Sequence, residues 1–505
     1  MTAFWSFITK RRRPARDAHG FAGYVVDAEE WRALATALNG ENATLLGLWG
    51  DGESIRLAAL DAVTNAIAVF SLACPEGRYP SVGRVHAPAQ RPERAVRDLT
   101  GLVADGAPDS RAWLDHGRWG LRHPLGSARS AAPKAKPYAF LAAEGEGLHE
   151  IPVGPVHAGI IEPGHFRFTA NGETIVRLEE RLGFVHKGTN KLIEGAPLDV
   201  AARLAARISG DSSIAYSFAF ARAAEAALGI DPPDRAIWLC ALMAELERLA
   251  NHLGDIGAVC NDAAFALMPA HCAVLREQVL RAAAKAFGHR LMFDRIVPGG
   301  VATDLSAEGA AAISAMTDHV RKRFPAIVEL YDDTPSLQDR TVKTGFLSAE
   351  LAAAFGAGGF VGRASGRLFD ARKALAYAPY DDLAFDVPVR VDGDVNARVW
   401  IRIGEVEQSL DLVDRILARL PEGPILCAPT APYAKAEGLA LVEGFRGDVL
   451  VWLRIGTDGL VERCHLRDPS WFQWPLLEAV VENNIVADFP LCNKSFNCSY
   501  SGHDL

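Results

Sequence analysis

The stretch PDRAIWLCALMAELERLANHL, residues 233–253, decides the fold of this chain. Its apolar residues recur every three to four positions, which is the spacing of one face of an α-helix. Its alanines permit a close approach of neighbouring helices. The same spacing returns on both sides of this stretch, in residues 201–228, 264–287, 308–331, 349–354 and 405–420. The sequence therefore predicts a helix bundle at the centre of the molecule.

Short β-like runs surround the predicted bundle. Residues 159–169 and 174–178 flank the pair Asn171-Gly172, which favours a tight hairpin. A second group, typical of a β-meander, comprises residues 439–443, 448–455 and 460–466. We therefore expect a mainly α-helical domain with small peripheral β-sheets, closed by a packed C-terminal tail.

The N-terminal part has a different pattern. Helix-like segments at 27–38 and 89–102 alternate with β-rich runs at 54–60 and 66–72. The segment that follows is rich in Ala, Ser, Pro and basic residues and has no apolar periodicity, which is typical of a linker. The sequence predicts three parts, namely an α+β domain over 1–123, a linker over 124–138 and the helical domain over 139–505.

The composition excludes several classes of protein. The chain has 62 acidic and 53 basic residues and a net charge of −9, so it has no positive field to hold nucleic acid. Its eight cysteines are too few for a disulfide framework, and none forms a C-x-x-C pair. No run approaches the ~18 apolar residues of a membrane-spanning helix. We expect a cytoplasmic protein that binds no nucleic acid.

Ordered motifs give both domains a resemblance to a known family. Residues 79–119 contain Glu93-Arg94, Asp98-Leu99, Gly101 and Pro108-Asp109-Ser110-Arg111, and they resemble the C-type subunit of respiratory complex I and its fused counterpart in formate hydrogenlyase. From residue 153 onward the chain resembles the D-type subunit of complex I and the homologous large subunit of energy-converting nickel–iron hydrogenases. The blocks that carry this resemblance include GPVH (154–157), GFVHKGTNKLIEG (183–195), ELERLANHL (245–253), PGGVATDL (298–305), RASGRLFDARK (363–373) and VEGFRGDVLVWL (442–453). The resemblance implies a hydrogenase-large-subunit-like fold for the helical domain.

The family's nickel site differs in this chain. The hydrogenases bind nickel and iron through two pairs of thiolates, in R-x-C-G-x-C and D-P-C-x-x-C motifs. Here these motifs read Arg207-Ile208-Ser209-Gly210-Asp211-Ser212 and Asp468-Pro469-Ser470-Trp471-Phe472-Gln473. Serine and glutamine oxygens are poor ligands for such a centre. We therefore expect the chain to bind no metal and no cofactor of its own, and we assign to the former active-site cavity His157, Arg207, Ser209, Ser212 and Ser470.

The quinone site of complex I is also incomplete. In that family a second histidine follows the G-P-x-H histidine, here His157, by four residues, and this position is Ile161. The tyrosine that faces the missing histidine corresponds to Leu204, whereas Asp262 matches the aspartate that supports it. Quinone at an altered headgroup site therefore stays an alternative ligand.

Two further residues are candidates for proton transfer. Glu162 matches a proton-transferring glutamate of the hydrogenases, and a water-poor pocket would raise its pKa. The alternative for Glu162 is an ion pair with Arg167 or Arg207. His252 matches the histidine that lies beside the terminal iron–sulfur cluster of the neighbouring subunit in complex I, and imidazole titrates near neutrality. The alternative for His252 is a core histidine bonded to a carboxylate or to backbone.

The resemblance implies an oxidoreductase subunit that lies peripherally on the inner, cytoplasmic face of the cell membrane. Its expected partners are an iron–sulfur small subunit, which holds the cluster, antiporter-like membrane proteins, and membrane proteins like the H-type subunit of complex I. NAD as the donor of the parent complex is left open. The rival from another class is an inactive scaffold. A closed polar cavity lined by Glu162, Arg207 and Asp262 would favour chemistry, and a cavity filled by Trp471 and Phe472 would favour the scaffold.

Overall fold

A computed structural model describes residues 18–19, 21–40, 43–126, 130–131, 137–432 and 434–505. The strands of the N-terminal part are β1 (Ala18–His19), β2 (Ala22–Val26), β3 (Ala43–Asp51), β4 (Ser54–Asp61), β5 (Ile67–Ala73), β6 (Arg78–Pro80), β7 (Val103–Asp105), β8 (Leu121–Arg122) and β9 (Ser130–Ala131). Its helices are α1 (Ala28–Ala37) and α2 (Gln90–Thr100). A four-stranded sheet has the order β2-β5-β4-β3, with β2 parallel to β5 and the other neighbours antiparallel.

Local signals explain where the two N-terminal helices begin and end. Asp27 accepts hydrogen bonds from the amides of Glu29 and Glu30, and the Glu30 carboxylate accepts one from the Asp27 amide, so α1 begins with a capping box. Its Trp31 is fully buried and donates 3.0 Å to the Pro80 carbonyl. Helix α2 ends at Gly101, whose φ of 85° is a left-handed conformation that glycine adopts at little cost.

The C-terminal part carries three small sheets. Its strands are β10 (Leu148–Val153), β11 (His165–Asn171), β12 (Thr174–Arg181), β13 (Ile296–Val297), β14 (Gly300–Val301), β15 (Ala436–Gly444), β16 (Gly447–Ile455) and β17 (Val461–Arg467). The predicted hairpin is β11–β12, and the predicted meander is β15–β17. Strand β1 extends the meander because it pairs in parallel with β15, with Ala18 opposite Glu437.

Helices form the centre of this part. They are α3 (Thr189–Ile193), α4 (Leu198–Ala205), α5 (Ser213–Leu228), α6 (Asp234–Asp262), α7 (Leu267–Phe287), α8 (Ala307–Asp332), α9 (Pro335–Thr341), α10 (Ala349–Ala354), α11 (Gly359–Ala364), α12 (Ala371–Ala374), α13 (Val395–Arg419), α14 (Ser470–Val480), α15 (Phe489–Phe496) and α16 (Tyr500–Asp504). Helix α6 packs against α7 and α13, and α5 packs on the meander sheet. The predicted fold class, an α+β domain followed by a mainly helical domain with small sheets, is confirmed.

Some helix boundaries differ from the sequence prediction. The stretch 201–228 is not one helix, because residues 206–212 break it between α4 and α5. Helix α13 begins at Val395, ten positions before the predicted start, where the Asp394 side chain accepts from the Ala397 amide. Its first turns bury Arg398 and Arg402, so the inward face is not apolar there and the periodicity does not reveal it.

The two parts share an interface of arginines and tryptophans. Arg91 on α2 lies 3.1 Å from Glu180 and 2.7 Å from Glu478 of the helical part. Trp49 on β3 lies 5.4 Å from Trp452 on β16, measured between ring centroids. Within the predicted linker, residues 127–129 and 132–136 lie outside the described residues, so the domain boundaries stay predictions.

No helix in the described ranges combines the length and the apolar character that crossing a bilayer requires.

Candidate functional site

The positions that hold thiolates in the hydrogenases converge in this structure. Ser209 and Ser212 lie in the break between α4 and α5, and Ser470 begins α14. Ser499, just before α16, bonds both to Ser470 and to Ser209. Its amide donates to Ser470 Oγ over 2.8 Å, and its hydroxyl donates to Ser209 Oγ over 3.3 Å. The order of the motifs along the sequence therefore identified residues that are close together in space.

An ion pair between the buried Arg446 and the partly exposed Asp211 occupies the centre of this group. Arg446, in the turn between β15 and β16, donates to both carboxylate oxygens of Asp211 over 2.9 and 2.5 Å, and to Ser212 Oγ over 3.0 Å. Ser209 Oγ donates to Asp211 over 2.5 Å. Burial acts to raise the pKa of Asp211, but the charge and the hydrogen bonds of Arg446 lower it to about 2. We call Ser209, Asp211, Ser212, Arg446, Ser470 and Ser499 the serine cluster.

The fourth thiolate position is Gln473, and its side chain bonds to the backbone beside this cluster. Its amide nitrogen donates to the carbonyls of Arg446 and Gly358 over 2.9 and 3.1 Å. Nickel and iron in such a centre take four soft thiolates, whereas these positions supply three hydroxyls and an amide that already bond to protein groups. No group of three or more His, Cys, Asp or Glu within the described ranges could hold a metal ion. The side chains present do not fit a nickel–iron centre.

His252 lies in a second, fully buried polar region. Its Nε2 atom is 2.7 Å from Glu405 Oε2, and the guanidinium of Arg363 donates to the other Glu405 oxygen over 2.6 Å. The edges of Phe360 and Phe445 surround the imidazole ring. Burial lowers the pKa of His252, although the Glu405 charge acts in the opposite direction. The expected carboxylate partner of a core histidine is therefore present, and the proton-transfer role of His252 stays a prediction.

The bonds of His252 are part of a larger network. Arg363 also donates to Glu443 over 2.9 Å, and Arg372 pairs with Asp370 over 2.6 Å and with Glu245 over 2.9 Å. We call the following seven buried ionisable groups and His252 the core network: Glu245, Arg248, Arg363, Asp370, Arg372, Glu405 and Glu443. Burial and the neighbouring Asp370 raise the pKa of Glu443 to about 7. With four carboxylates and three arginines, one proton on Glu443 or His252 makes the core network neutral.

Glu162 is found in a different environment from the one we expected. Its side chain is exposed, and its Oε2 atom accepts from the Ser501 amide over 3.0 Å. The expectation that Glu162 lies in a water-poor pocket is therefore wrong. The alternative ion pairs are also absent, because Arg167 pairs with Glu150 and Arg207 pairs with Asp294. The exposed position follows from the loop between β10 and β11, which carries Glu162 along the surface of the C-terminal tail.

His157, in the same loop as Glu162, lies against the C-terminal tail. Its Nε2 atom is 3.2 Å from the hydroxyl of Tyr500, and burial of the ring lowers its pKa. Lys494 lies near both His157 and the half-buried Asp262, where its charge opposes the rise in the pKa of Asp262 that burial causes. The region of the C-terminal tail therefore brings together a histidine, a tyrosine, a lysine and two carboxyl groups, those of Asp262 and Glu162.

Glu162 and Arg207 are exposed and Asp262 is half-buried, so these three residues do not line the closed polar cavity that would favour chemistry. Arg207 is partly exposed and makes a two-pronged ion pair with Asp294, with both contacts at 2.6 Å. Its assignment to a cavity is wrong for this reason. Trp471 and Phe472 do not fill the serine cluster either. They line a cavity of about 50 Å³ between the two domains, and Trp471 stacks on His503 at 4.1 Å.

Sequence reasoning missed several residues of the site. Arg446 lies in the block VEGFRGDVLVWL and Asp211 lies inside the first thiolate motif, but no sequence signal connects them across 235 positions. Tyr500 lies beside His157, whereas Leu204, which corresponds to the tyrosine of the family, packs against the helical core. The tail itself is packed as expected, with Tyr500, His503 and Asp504 buried.

Comparisons with known proteins match both parts of the chain. The family described as "Respiratory-chain NADH dehydrogenase, 30 Kd subunit" matches residues 24–133, and the family described as "Respiratory-chain NADH dehydrogenase, 49 Kd subunit" matches residues 263–437. Formate hydrogenlyase subunit 5 of Escherichia coli is 31% identical over 436 residues, which cover 84% of this chain and 77% of that protein.

Two further comparisons agree. The C/D subunit of the NADH-quinone oxidoreductase of Phocaeicola vulgatus is 26% identical over 437 residues, which cover 81% of this chain and 83% of that protein. A chain from the solved structure of the membrane-bound sulfane sulfur reductase, an archaeal respiratory membrane complex, superposes with a TM-score of 0.67 at 24% identity. The match covers 71% of this chain and 99% of that chain, and it supports the fold. The chain belongs to the complex I-like oxidoreductase family in which the 30 and 49 Kd domains are fused, together with the C/D subunit of NADH-quinone oxidoreductase and formate hydrogenlyase subunit 5.

Proposed function

We propose that this chain acts in electron and proton transfer as one component of a membrane-associated, complex-I-like or hydrogenase-like assembly, without a nickel–iron centre of its own. The serine cluster is the observation that carries this proposal. Three hydroxyls and an amide stand where the hydrogenases have thiolates, and the Asp211–Arg446 ion pair lies among them. Such a site lacks the soft donors that would recruit nickel.

The core network supports the proton part of the proposal. Electrons would come from an iron–sulfur cluster in a partner subunit, and each electron that reaches a buried cluster attracts a proton. His252 and Glu443 can take up such a proton, because the network carries one more carboxylate than it has arginines. A group that titrates near neutral pH inside a protein responds to small changes in nearby charge.

Membrane association is proposed from the relatives and from the surface. The relatives include the membrane-bound hydrogenase subunit alpha of Pyrococcus furiosus, 29% identical over 365 residues. Val156 and Ile160, in the loop between β10 and β11, are 83% and 99% exposed, and exposed apolar side chains of this kind favour contact with a partner. We place the chain peripherally on the cytoplasmic face, next to an iron–sulfur small subunit, to antiporter-like membrane proteins and to membrane proteins like the H-type subunit of complex I.

Metal analysis of the purified assembly tests the first part of the proposal. We expect no stoichiometric nickel, with iron accounted for by the partner's clusters, because no thiolate is present at positions 209, 212, 470 and 473. The same measurement on S209C/S212C/S470C/Q473C tests whether this site binds nickel when cysteines occupy all four positions. Stoichiometric nickel in the unsubstituted assembly after chelation would overturn the proposal.

Redox titration tests the second part. If one proton follows one electron, the midpoint potential of the partner's cluster should fall by about 59 mV per pH unit. His252→Met should remove most of this slope, whereas His271→Gln, at an exposed position on α7, should leave it unchanged. An unchanged slope in His252→Met assigns the proton to another group, and a flat wild-type profile rejects the proton part of the proposal.

A quinone site is the second candidate function. The observation that favours it is the His157–Tyr500 contact of 3.2 Å, since an imidazole and a phenol can both bond a quinone carbonyl. Quinone reductase activity of the assembly should then fall in Tyr500→Phe, which keeps the ring and loses the hydroxyl. Equal activity in Tyr500→Phe and wild type would reject this candidate.

A further inference from the structure

A cavity of about 240 Å³ lies outside the serine cluster and the core network. Its walls are the end of α5, the start of α6 and the β13–β14 hairpin. Most of the wall is apolar and comes from Phe218, Ala221, Ile230, Pro232, Ala236 and Ile237. Sites for drug-sized ligands measure about 300–1,000 Å³, so this cavity has room only for a small molecule.

Of the described residues that line this cavity, Arg222 is the one cation. Among the described residues, no carboxylate lies within ion-pair distance of its guanidinium, and no hydrogen bond to it is formed. The guanidinium carbon lies 4.4 Å from the centroid of the Tyr377 ring, so the aromatic face holds the group in place. Arginine presents donors in a planar fork that matches a carboxylate. This fork is available to a ligand.

Glu225 lies one helical turn beyond Arg222. It is buried, and its Oε1 atom accepts from the Gly299 amide over 2.9 Å. Burial raises the pKa of Glu225 to about 7, although the Gly299 amide and the Arg222 charge act to lower it. Near neutral pH the carboxyl is therefore partly protonated, and it leaves the positive charge of Arg222 incompletely balanced.

We propose that this cavity binds a small organic monocarboxylate, whose carboxylate accepts hydrogen bonds from Arg222 and whose apolar body lies against the α5–α6 wall. A single cation with one free fork matches a single negative charge. A phosphate dianion would bring a second charge into a mostly apolar cavity that offers no second cation, so it fits less well. The apolar wall excludes small inorganic anions as the preferred ligand, because they would leave it uncovered.

The groups around Glu225 determine how the affinity for the carboxylate changes with pH. Glu225 is faced by Arg222 on its own helix, by Cys240 on α6 and by the Gly299 amide of the hairpin, and Asp381 also acts on Arg222. Ionised Glu225 repels a bound carboxylate, whereas protonated Glu225 does not. The affinity should therefore fall as the pH rises through about 7.

The test uses hexanoate as the probe and the full-length chain purified in its assembly. Binding is measured by saturation-transfer-difference NMR, with 1-hexanol as the neutral comparison. We expect saturable binding of hexanoate at pH 6, weaker binding at pH 8, and a dissociation constant at least about tenfold larger in Arg222→Gln. Glu225→Gln should make the affinity at pH 8 equal to that at pH 6. Arg281→Gln, an exposed position on α7, is the matched control and should bind as wild type does.

Several results would overturn the proposal. They are no saturable binding of hexanoate, equal binding by wild type and Arg222→Gln, equal binding of hexanol, or an affinity that does not change with pH. Arg222→Lys guards against a folding defect, because it keeps the charge and loses the fork. If the melting temperature of Arg222→Lys matches wild type and its affinity for hexanoate is also unchanged, the arginine fork is not the binding group.

Discussion

His465 lies in the core with its ring stacked on Trp49 at a centroid distance of 4.7 Å. Its Nε2 atom is buried and has no hydrogen-bond partner within the described residues. Burial, together with the charges of Arg463 and Arg467, lowers the pKa of this histidine to about 3. The folded chain therefore keeps the imidazole neutral near neutral pH.

This histidine makes folding sensitive to mild acid. In the unfolded chain its pKa returns to about 6.5, so the unfolded state binds a proton that the folded state cannot. The free energy of unfolding should therefore fall as the pH drops below about 6.5, by about 1.4 kcal/mol per such group between pH 7.5 and 5.5. His465→Phe, which keeps the stacking, should show that much less loss in denaturant titrations at the two pH values. A pH loss equal to wild type would contradict this, and His271→Gln is the exposed control.

A substitution of Glu162 distinguishes a proton-relay role of this side chain from a structural role. Glu162→Gln keeps an oxygen that can accept from the Ser501 amide, so assembly and melting temperature should not change. Turnover should fall about 100-fold if the carboxylate moves protons. Glu150→Gln removes a comparably exposed carboxylate on β10 and should keep full turnover. Normal turnover of Glu162→Gln in a normal assembly would reject the relay.

At the residue scale, motif order predicted positions but not partners. Ser209, Ser212 and Ser470 could be found because each lies in a short frame of fixed spacing. Ser499 could not, because the hydroxyl that it contacts lies 290 positions away and serine carries no pattern of its own. The burial of a polar side chain is decided by what folds over it, and a local sequence window does not contain that information.

The Asp211–Arg446 pair joins two elements, namely the break between α4 and α5 and the β15–β16 turn. Asp211→Asn would leave the buried Arg446 charge without its partly exposed partner, which should cost about 1–3 kcal/mol of unfolding free energy. Arg207→Gln breaks the neighbouring solvent-exposed pair with Asp294 and should cost no more than about 1 kcal/mol. Denaturant unfolding of both variants measures the difference. Equal losses would mean that the Asp211–Arg446 pair is not the joint that we describe.

Among the elements, apolar spacing predicted the long helices and missed the places where charges face inward. Helix α6 continues to Asp262, nine residues beyond the predicted end, because its polar positions after His252 are also packed. Its Asp255 bonds Arg402 of α13 over 3.2 Å and accepts from Asn497 over 2.9 Å. A carboxylate on the inner face looks like a solvent-facing residue until its partner is known.

The whole molecule is held together by more than the linker. Arg91 pairs with Glu180 and Glu478, and Arg454 on β16 lies 2.7 Å from Asp51 on β3. Cleavage at a protease site introduced within residues 124–138 should therefore leave two fragments that elute together in size-exclusion chromatography. The same cut in Arg91→Gln/Arg454→Gln should release them more readily in salt. Separation of the unsubstituted fragments at physiological salt would contradict the interface.

The pairing of β1 with β15 also determines the order in which the meander sheet can form during biosynthesis. Ala18 is synthesised about 420 residues before its partner Glu437, and this interval takes about 20–80 s at elongation rates of about 5–20 residues per second. During that interval the meander sheet does not exist, and the backbone of β1 has no strand to join. The hairpin β15–β16 can close locally as soon as it is made, so β1 docks onto a sheet that is already formed. The last hydrogen bonds of this sheet are therefore made by some of the first described residues of the chain to be synthesised.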